Sequence, residues 1–262
     1  MKTALVCIAK EETRYIRDFV TYHLSLGFSS VYIYDNGHRT PLIDTLCNLK
    51  NVYIVTFPGK NRQFDAYNHF FKQFGSCYTH AMVMDCDEFL VFKNHSTIDE
   101  LIQFCNLERG AVCINWRIFG SNDEKEYKPE HVVKRFTRRE DEDNEHIKCL
   151  VVCSDVIEYN NPHYPTKLKR GTKTTNLLKE DIQGPFNNKP CYDVAQINHY
   201  FTKSYNEFVE RRNQGTADGT VTRTLEFFHT HDRNVEEDLY ARNHLEKLSA
   251  SKTVSLKKNL TF

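Results

Sequence analysis

Ala81-Met-Val-Met84 runs directly into Asp85-Cys86-Asp87-Glu88-Phe89, an apolar run that stops at two closely spaced carboxylates. The run has the length of a strand and is apolar on both faces. Three similar runs precede it: Ala4 to Ala9, Val31 to Tyr34 and Val52 to Phe57. Between them the apolar spacing predicts helices from Glu11 to Leu26, capped by Gly27, from Pro41 to Leu49 and from Phe64 to Phe74. Strands buried on both faces and separated by helices form a parallel sheet covered on both sides. In such sheets ligands bind at the carboxyl ends of the strands, and that is where Asp85 and Asp87 stand. The fold class read from this half is α/β, Rossmann-like, with a mostly parallel central sheet flanked by helices.

The pattern changes beyond residue 95. Thr97-Ile-Asp-Glu100 is a capping box that opens a short helix through Cys105. Ala111 to Phe119 reads as a long strand, and Val132-Val133 and Lys148 to Cys153 as further strands. The charged run Arg138 to Glu145 between them reads as a solvated loop. Residues 159 to 195 hold four of the seven prolines and read as loops. A second capping box, Ser204 to Glu207, opens a helix through about Arg212. A final amphipathic helix is expected from Val235 to Leu248, with the last ten residues frayed. Neither a repeat nor a low-complexity linker interrupts the chain, so one domain is expected over all 262 residues.

The composition sets outer limits. Hydrophobic residues at 40% and charged residues at 27% describe a chain that can bury a core. The 35 basic and 35 acidic residues cancel, which argues against holding nucleic acid by bulk electrostatics. No apolar run approaches the roughly 20 residues that cross a bilayer, and Met1-Lys-Thr3 leads into a strand without a signal-peptide core. The nine cysteines include no Cys-x-x-Cys pair and read as free thiols of a reducing compartment. A soluble, cytoplasmic protein without an obligate protein partner is expected. A Gly-rich phosphate loop of the Rossmann or Walker kind is absent, which speaks against dinucleotide oxidoreductases and P-loop enzymes.

At a strand end, alternation puts Asp85 and Asp87 on one side and Cys86 on the other. Two adjacent carboxylates repel each other unless a cation joins them. Hard oxygen ligands suit magnesium or manganese bridging to a diphosphate; the alternative is a pair of solvated aspartates. Asp35 and Asn36 end the second strand and either contact a nucleoside or merely form the Asp-Asn-Gly turn. Ala9, Glu11 and Glu12 either line the same cleft or open the next helix with charge suited to its dipole.

Four ordered blocks add a resemblance. Ile8-Ala-Lys-Glu-Glu12 with Tyr22-His-Leu-Ser-Leu-Gly27 and Ile33-Tyr-Asp-Asn36 looks like the opening of family 92 and family 2-like glycosyltransferases. Met84 to Leu90 is similar to their metal-binding element, and Asn115 to Ser121 and Ile197 to Ser204 resemble two later blocks. The resemblance implies a GT-A fold and transfer of a sugar from a nucleotide diphosphate sugar, a UDP-sugar above all, to a glycan or glycoconjugate hydroxyl. It divides the chain into a nucleotide-sugar half (1–95), an acceptor-side half (96–215) and a C-terminal helical segment (216–262). It also implies that Asp85, Asp87 and His199 hold Mn2+ or Mg2+, although a lone histidine is as readily a core residue. Ala9, Glu11, Asp35, Asn36, Gln63, Tyr67, Asp85 and Lys148 would line the donor site, and Lys203 is a further counter-charge for the diphosphate.

Family 92 resemblance implies inversion, which needs a carboxylate base near the anomeric carbon. Asp123, after the Trp116 block, is the chosen base, with Glu124, Asp155, Glu158 and Asp193 as alternatives. Trp116 and Phe119 either stack on a sugar or belong to the core. Replacing Asp87 by Asn is expected to remove donor binding at little cost in stability. A sugar-nucleotide pyrophosphorylase and a non-catalytic carbohydrate- or partner-binding module with the same fold are the rival readings. Related animal enzymes carry a membrane anchor, so the chain reads either as an isolated catalytic domain or as a soluble enzyme.

Overall fold

Alternate residues of the first strand, β1 (Thr3–Ala9), serve two different cores. In the computed structural model, which describes residues 1–212 and 224–248, Leu5, Cys7 and Ala9 pack with Ile16, Phe19 and Val20 of α1 (Ile16–Ser25). Ala4, Val6 and Ile8 pack on the opposite face with Ala66, Tyr67 and Phe70 of α3 (Gln63–Gln73). All seven residues of β1 are buried, as the two-sided apolar run requires. Parallel neighbours are β2 (Ser30–Asp35) and β4 (His80–Val83), and β2 pairs in turn with β3 (Val52–Thr56), also parallel. A short α2 (Leu42–Leu46) links β2 to β3. Gly27, at φ +94°, ends α1 in the left-handed region where glycine is favoured.

Beyond β4 the sheet becomes mixed. β8 (Ile147–Val152) joins β4 antiparallel, and β6 (Ala111–Ile118) joins β8 antiparallel through residues 111–115. The far half of β6 leaves this sheet. Trp116 to Ile118 pair instead with β13 (Ala195–His199), which runs antiparallel to β5 (Glu88–Phe92). A small sheet is thereby attached to the large one through one continuous strand. The rest is α4 (Ile98–Cys105), α5 (Val132–Arg135), α6 (Tyr205–Arg212), α7 (Leu225–His231), two-residue strands, among them β7 (Arg138–Arg139) and β14 (Glu236–Glu237), and a helix over 240–248.

Several expectations need correction. Val132-Val133 is not a strand but the start of the one-turn α5, which turns Arg135 inward onto Glu124 and Glu207. Arg138-Arg139 is not solvated loop but pairs with Glu236-Glu237, so the last helix starts at 240 instead of Val235. The helix after β1 starts five residues late because Glu11 takes φ +55° and residues 12–15 form a turn. Strands β5 and β13 were not anticipated. The frayed tail and part of the C-terminal segment lie outside the described residues.

Candidate functional site

The carboxyl ends of β1, β2 and β3 are tied together by one side chain. Asn36 Nδ2 donates to the carbonyls of Phe57 and Gly59 (2.9 Å each), while its backbone N–H donates to Ala9 O (2.8 Å). Ala9 is therefore buried and its carbonyl committed. Asp35 Oδ1 accepts from Gly37 N (2.9 Å) and from His38 Nδ1 (2.7 Å). His38 Nε2 accepts the Glu12 N–H (3.0 Å), so the ring proton must sit on Nδ1. Asp35 thus sets the loop after β1 through His38 and leaves its second oxygen uncommitted among the described residues. Glu11, beside it, lies 3.6 Å from the Arg39 guanidinium.

β4 stops at Val83, and residues 84–87 turn into β5. Strand alternation therefore does not govern the two aspartates, which acquire separate partners. Cys86 points into the core, its Sγ 3.8 Å from that of Cys7. Asp85 accepts from Lys148 Nζ and Gln63 Nε2 (2.9 Å each), and Gln63 also donates to Tyr67 Oη (2.9 Å). Lys148 is completely buried and reaches Glu88 at 3.4 Å. Burial alone would drive its proton off, but Asp85 and Glu88 outweigh this and hold its pKa above the usual range. Glu88 is pushed well above the ordinary carboxylate range by burial, which Lys148 only partly offsets. Its Oε1 is buried without a hydrogen-bond partner.

Asp87 stands in a second, more basic cluster. Its Oδ2 accepts from Arg211 Nη1 (3.0 Å), and its Oδ1 lies 3.6 Å from His199 Nε2. Arg211 Nη2 reaches Glu12 Oε1 at 3.1 Å, and Lys203 Nζ reaches Glu12 Oε2 at 3.4 Å. Burial would raise the Asp87 pKa, but Arg211, His199 and Lys203 together bring it well below the carboxylate norm. At 6% exposure Asp87 is no solvated cleft carboxylate. The expectation that its loss would cost little stability is corrected accordingly. Arg211 and Lys203 form one wall of a pocket of about 250 Å³, with Glu11, Glu12, Tyr15 and Arg39 around it. A larger hollow of about 540 Å³ opens at the other end of the strands, near Tyr78, His80 and Leu107, away from the edge where parallel sheets bind ligands.

The helix that carries Arg211 is fixed from below. Glu207 accepts from Ser204 Oγ (2.5 Å) and from the Tyr15 hydroxyl, and Arg135 Nη1 lies 3.1 Å from it. Arg135 also holds Glu124 (2.9 Å), which pairs with Lys128 (2.7 Å) as well. Asp123 sits two residues past Ser121, which is clamped by Asp232 through both backbone and hydroxyl. Asp123 is exposed, at φ +60°. Gly120 permits this clamp, since a Cβ there would lie 2.3 Å from Asn234 Oδ1.

Aromatic rings gather behind His199. Trp116 lies with its centroid 4.2 Å from His199 and 5.0 Å from both His146 and His163. Phe119 and Tyr67 are completely buried and belong to the core. Asp155 follows β8 and is held by Arg109 at the amino edge of the sheet. Asp193 precedes β13, at the end remote from Asp87. Glu158 lies in a hairpin strand (Val156–Glu158) that pairs with Lys167–Leu168.

The structure therefore joins Asp87 to His199, and Asp85 to Gln63 and Lys148. It does not gather all three expected metal ligands: among the described residues no group of three or more His, Cys, Asp or Glu side chains converges as a metal site. Glu12 lines the cleft as its place after the first strand suggested, whereas His38, Glu88 and Arg211 were not among the expected site residues. Arg211 follows the capping-box Glu207 by one helical turn, the one local signal that marks it.

The profile of glycosyltransferase family 92 matches residues 2–222. The chain belongs to glycosyltransferase family 92. The fold of this family 92 chain, a single α/β domain with a central mixed sheet flanked by helices, accords with the GT-A type. No curated protein matches it at the level of sequence. Among solved structures, S. aureus TarS 1–349 in complex with UDP is 16% identical, covering 51% of this chain and 42% of its own, with a TM-score of 0.37. HddC from Yersinia pseudotuberculosis is 8% identical, covering 67% and 90%, with a TM-score of 0.41. Core-mannan synthase A from Aspergillus fumigatus, in its Mn/GDP form, is 8% identical, covering 48% and 44%, with a TM-score of 0.30. The chain spans about two fifths of the TarS structure of residues 1–349. Among the described residues no helix is long and apolar enough to cross a membrane.

Proposed function

We propose that this family 92 chain is an inverting glycosyltransferase that moves a sugar from a nucleotide diphosphate sugar, a UDP-sugar by preference, to a hydroxyl of a glycan or glycoconjugate with the help of Mn2+ or Mg2+. The observation that carries the reading is the meeting of Asp87, His199, Arg211 and Lys203 at the carboxyl edge of the parallel strands. A hard cation that travels with phosphates needs only one or two protein ligands. Asp87 and His199, 3.6 Å apart, fit that role as an oxygen and an imidazole donor. When bound, such an ion polarises the phosphate oxygens and stabilises charge on the leaving diphosphate.

The chain's own residues supply the rest. Lys203 and Arg211 offer fixed positive charge to the leaving group. Asp85, held by Lys148 and Gln63, orients the turn that presents Asp87. Asp35 Oδ2 is available to a nucleoside hydroxyl or base. Asp123 is the base that takes the acceptor proton, since Glu124 is bound to Arg135 and Lys128. In this scheme residues 1–95 form the nucleotide-sugar half and 96–215 the acceptor side, which also sends His199, Lys203 and Arg211 to the diphosphate, and the nine free cysteines suit a cytoplasmic setting.

A thermal-shift panel of UDP, GDP, CDP and dTDP, each with Mn2+ or chelator, tests the reading. A ligand confined to the native state adds about 2.7 kcal/mol at a hundredfold excess over its Kd. A manganese-dependent shift with one diphosphate is expected; silence with all four would reject it in favour of a binding module.

A further inference from the structure

Arg211 bridges two carboxylates, one of which, Asp87, is the oxygen ligand assigned to the ion above. Its Nη1 holds Asp87 at 3.0 Å and its Nη2 holds Glu12 at 3.1 Å. Each arm of the planar fork thus holds its own carboxylate. Lys203, almost completely buried, adds a second positive charge 3.4 Å from Glu12. Two carboxylates and two cations thus make the cluster neutral before anything binds. A bare divalent ion would bring two more positive charges into a nearly dry site, against a guanidinium that shares the same carboxylate. Like charges at this range repel strongly when water is excluded. A nucleoside diphosphate reverses the balance, because it brings both compensating negative charge and oxygen ligands.

We infer that Arg211 is a built-in counter-cation that closes Asp87 to a divalent ion until a nucleoside diphosphate arrives with it. This inference rests on the metal-dependent reading above. When Nη1 leaves Asp87, Nη2 keeps its pair with Glu12, so the guanidinium stays in the site. The freed N–H groups then face a phosphate oxygen, for which the guanidinium fork is well matched. Arg211 is in this account a positioning residue that changes partner: it neutralises Asp87 in the free protein and the diphosphate in the complex. The binding order follows, with the ion entering only together with the nucleotide.

The experiment measures Mn2+ binding directly, by loss of the free-ion electron paramagnetic resonance signal, with and without UDP, on the wild-type chain, Arg211→Gln and Arg211→Lys. GDP, CDP or dTDP replaces UDP if the panel above selects one of them. Wild-type protein is expected to bind Mn2+ alone at least tenfold more weakly than in the presence of the diphosphate. Arg211→Gln should bind Mn2+ alone at least tenfold more tightly than wild type. Arg211→Lys keeps the charge but lacks the fork that spans both carboxylates, and should fall between them; it carries the test if the glutamine variant does not fold. Equal Mn2+ affinity of the wild-type chain and the folded variants would overturn the inference. So would wild-type protein that binds Mn2+ equally well with and without nucleotide. If wild type binds Mn2+ and diphosphate as a pair while the variants gain nothing, only this inference falls. If no diphosphate recruits Mn2+ at all, the functional reading falls with it.

Discussion

Glu88 faces His199 across the antiparallel pair of β5 and β13, and Ile118 of β6 faces His199 from its other side. This register delivers Asp87, the residue before Glu88, beside the imidazole, and the Tyr200 N–H fixes the Asp87 carbonyl at 2.8 Å. The edge of the site is thus set by backbone pairing between segments far apart in the chain. His23 secures the same strand from behind: its Nδ1–H donates to Phe19 O (2.8 Å), and its Nε2 accepts the Leu90 N–H (3.2 Å).

Asp87→Asn is expected to cost about 3 kcal/mol, because removing one member of a buried ion pair strands the other. Arg211 would keep only Glu12. Urea denaturation measures the loss, and an unchanged midpoint would show that the pair contributes nothing. The manganese-dependent nucleotide shift should disappear in the same variant.

Lys148→Met should destabilise by about 3 kcal/mol, since the buried Glu88 and the half-buried Asp85 then face each other with no cation between them. Adding Glu88→Gln removes one of the two charges and should restore part of the loss. A double variant no more stable than Lys148→Met would mean that Glu88 is already neutral once Lys148 is gone, its burial no longer offset by that cation.

Stability should fall as pH drops below about 6.5. Burial brings His23 down to about 3, His131 to about 4 and His163 to about 3. Below 6.5 the unfolded chain takes up protons that these folded histidines refuse, so stability is complete above that pH and is lost as pH falls toward 3–4. For fully buried His23 the slope approaches about 1.4 kcal/mol per pH unit. Asp18, raised by burial to about 6, acts in the opposite direction between about 6 and 4. His23→Gln isolates the histidine contribution: its midpoint should vary less with pH than that of wild type, and an identical profile would remove His23 from the account.

Asp123→Asn should reduce transfer by at least a hundredfold while leaving the nucleotide shift intact, because the side chain is exposed and takes part in none of the ion pairs that hold Asp87, Lys203 and Arg211. Isothermal titration with the diphosphate, beside a transfer assay, separates the two. An active variant would shift the base assignment to another carboxylate.

The parallel block was legible because its strands are buried on both faces, and their apolar runs have no other explanation. Position at a strand end likewise singled out Asp85 and Asp87. β13 escaped notice because Gln196 and Asn198 interrupt its apolar run. Both are buried, and they satisfy each other, Tyr200 and Asp238 in a closed hydrogen-bond network, which local pattern cannot reveal. Arg211 reaches Asp87 across 124 residues, so its partner is a property of the folded chain alone. Val132-Val133 read as a strand from β-branched composition, whereas the buried acidic partners of Arg135 favour a helical turn there.

The passage of β6 through both sheets has a mechanical consequence. A strand whose first half is bonded to β8 and whose second half is bonded to β13 leaves no plane along which the two sheets can slide. Hinge or shear closure between them would have to break a continuous backbone ladder. Induced fit in this molecule is thereby confined to the loops and helices that cross the carboxyl edge, and the two sheets move as one rigid body beneath them.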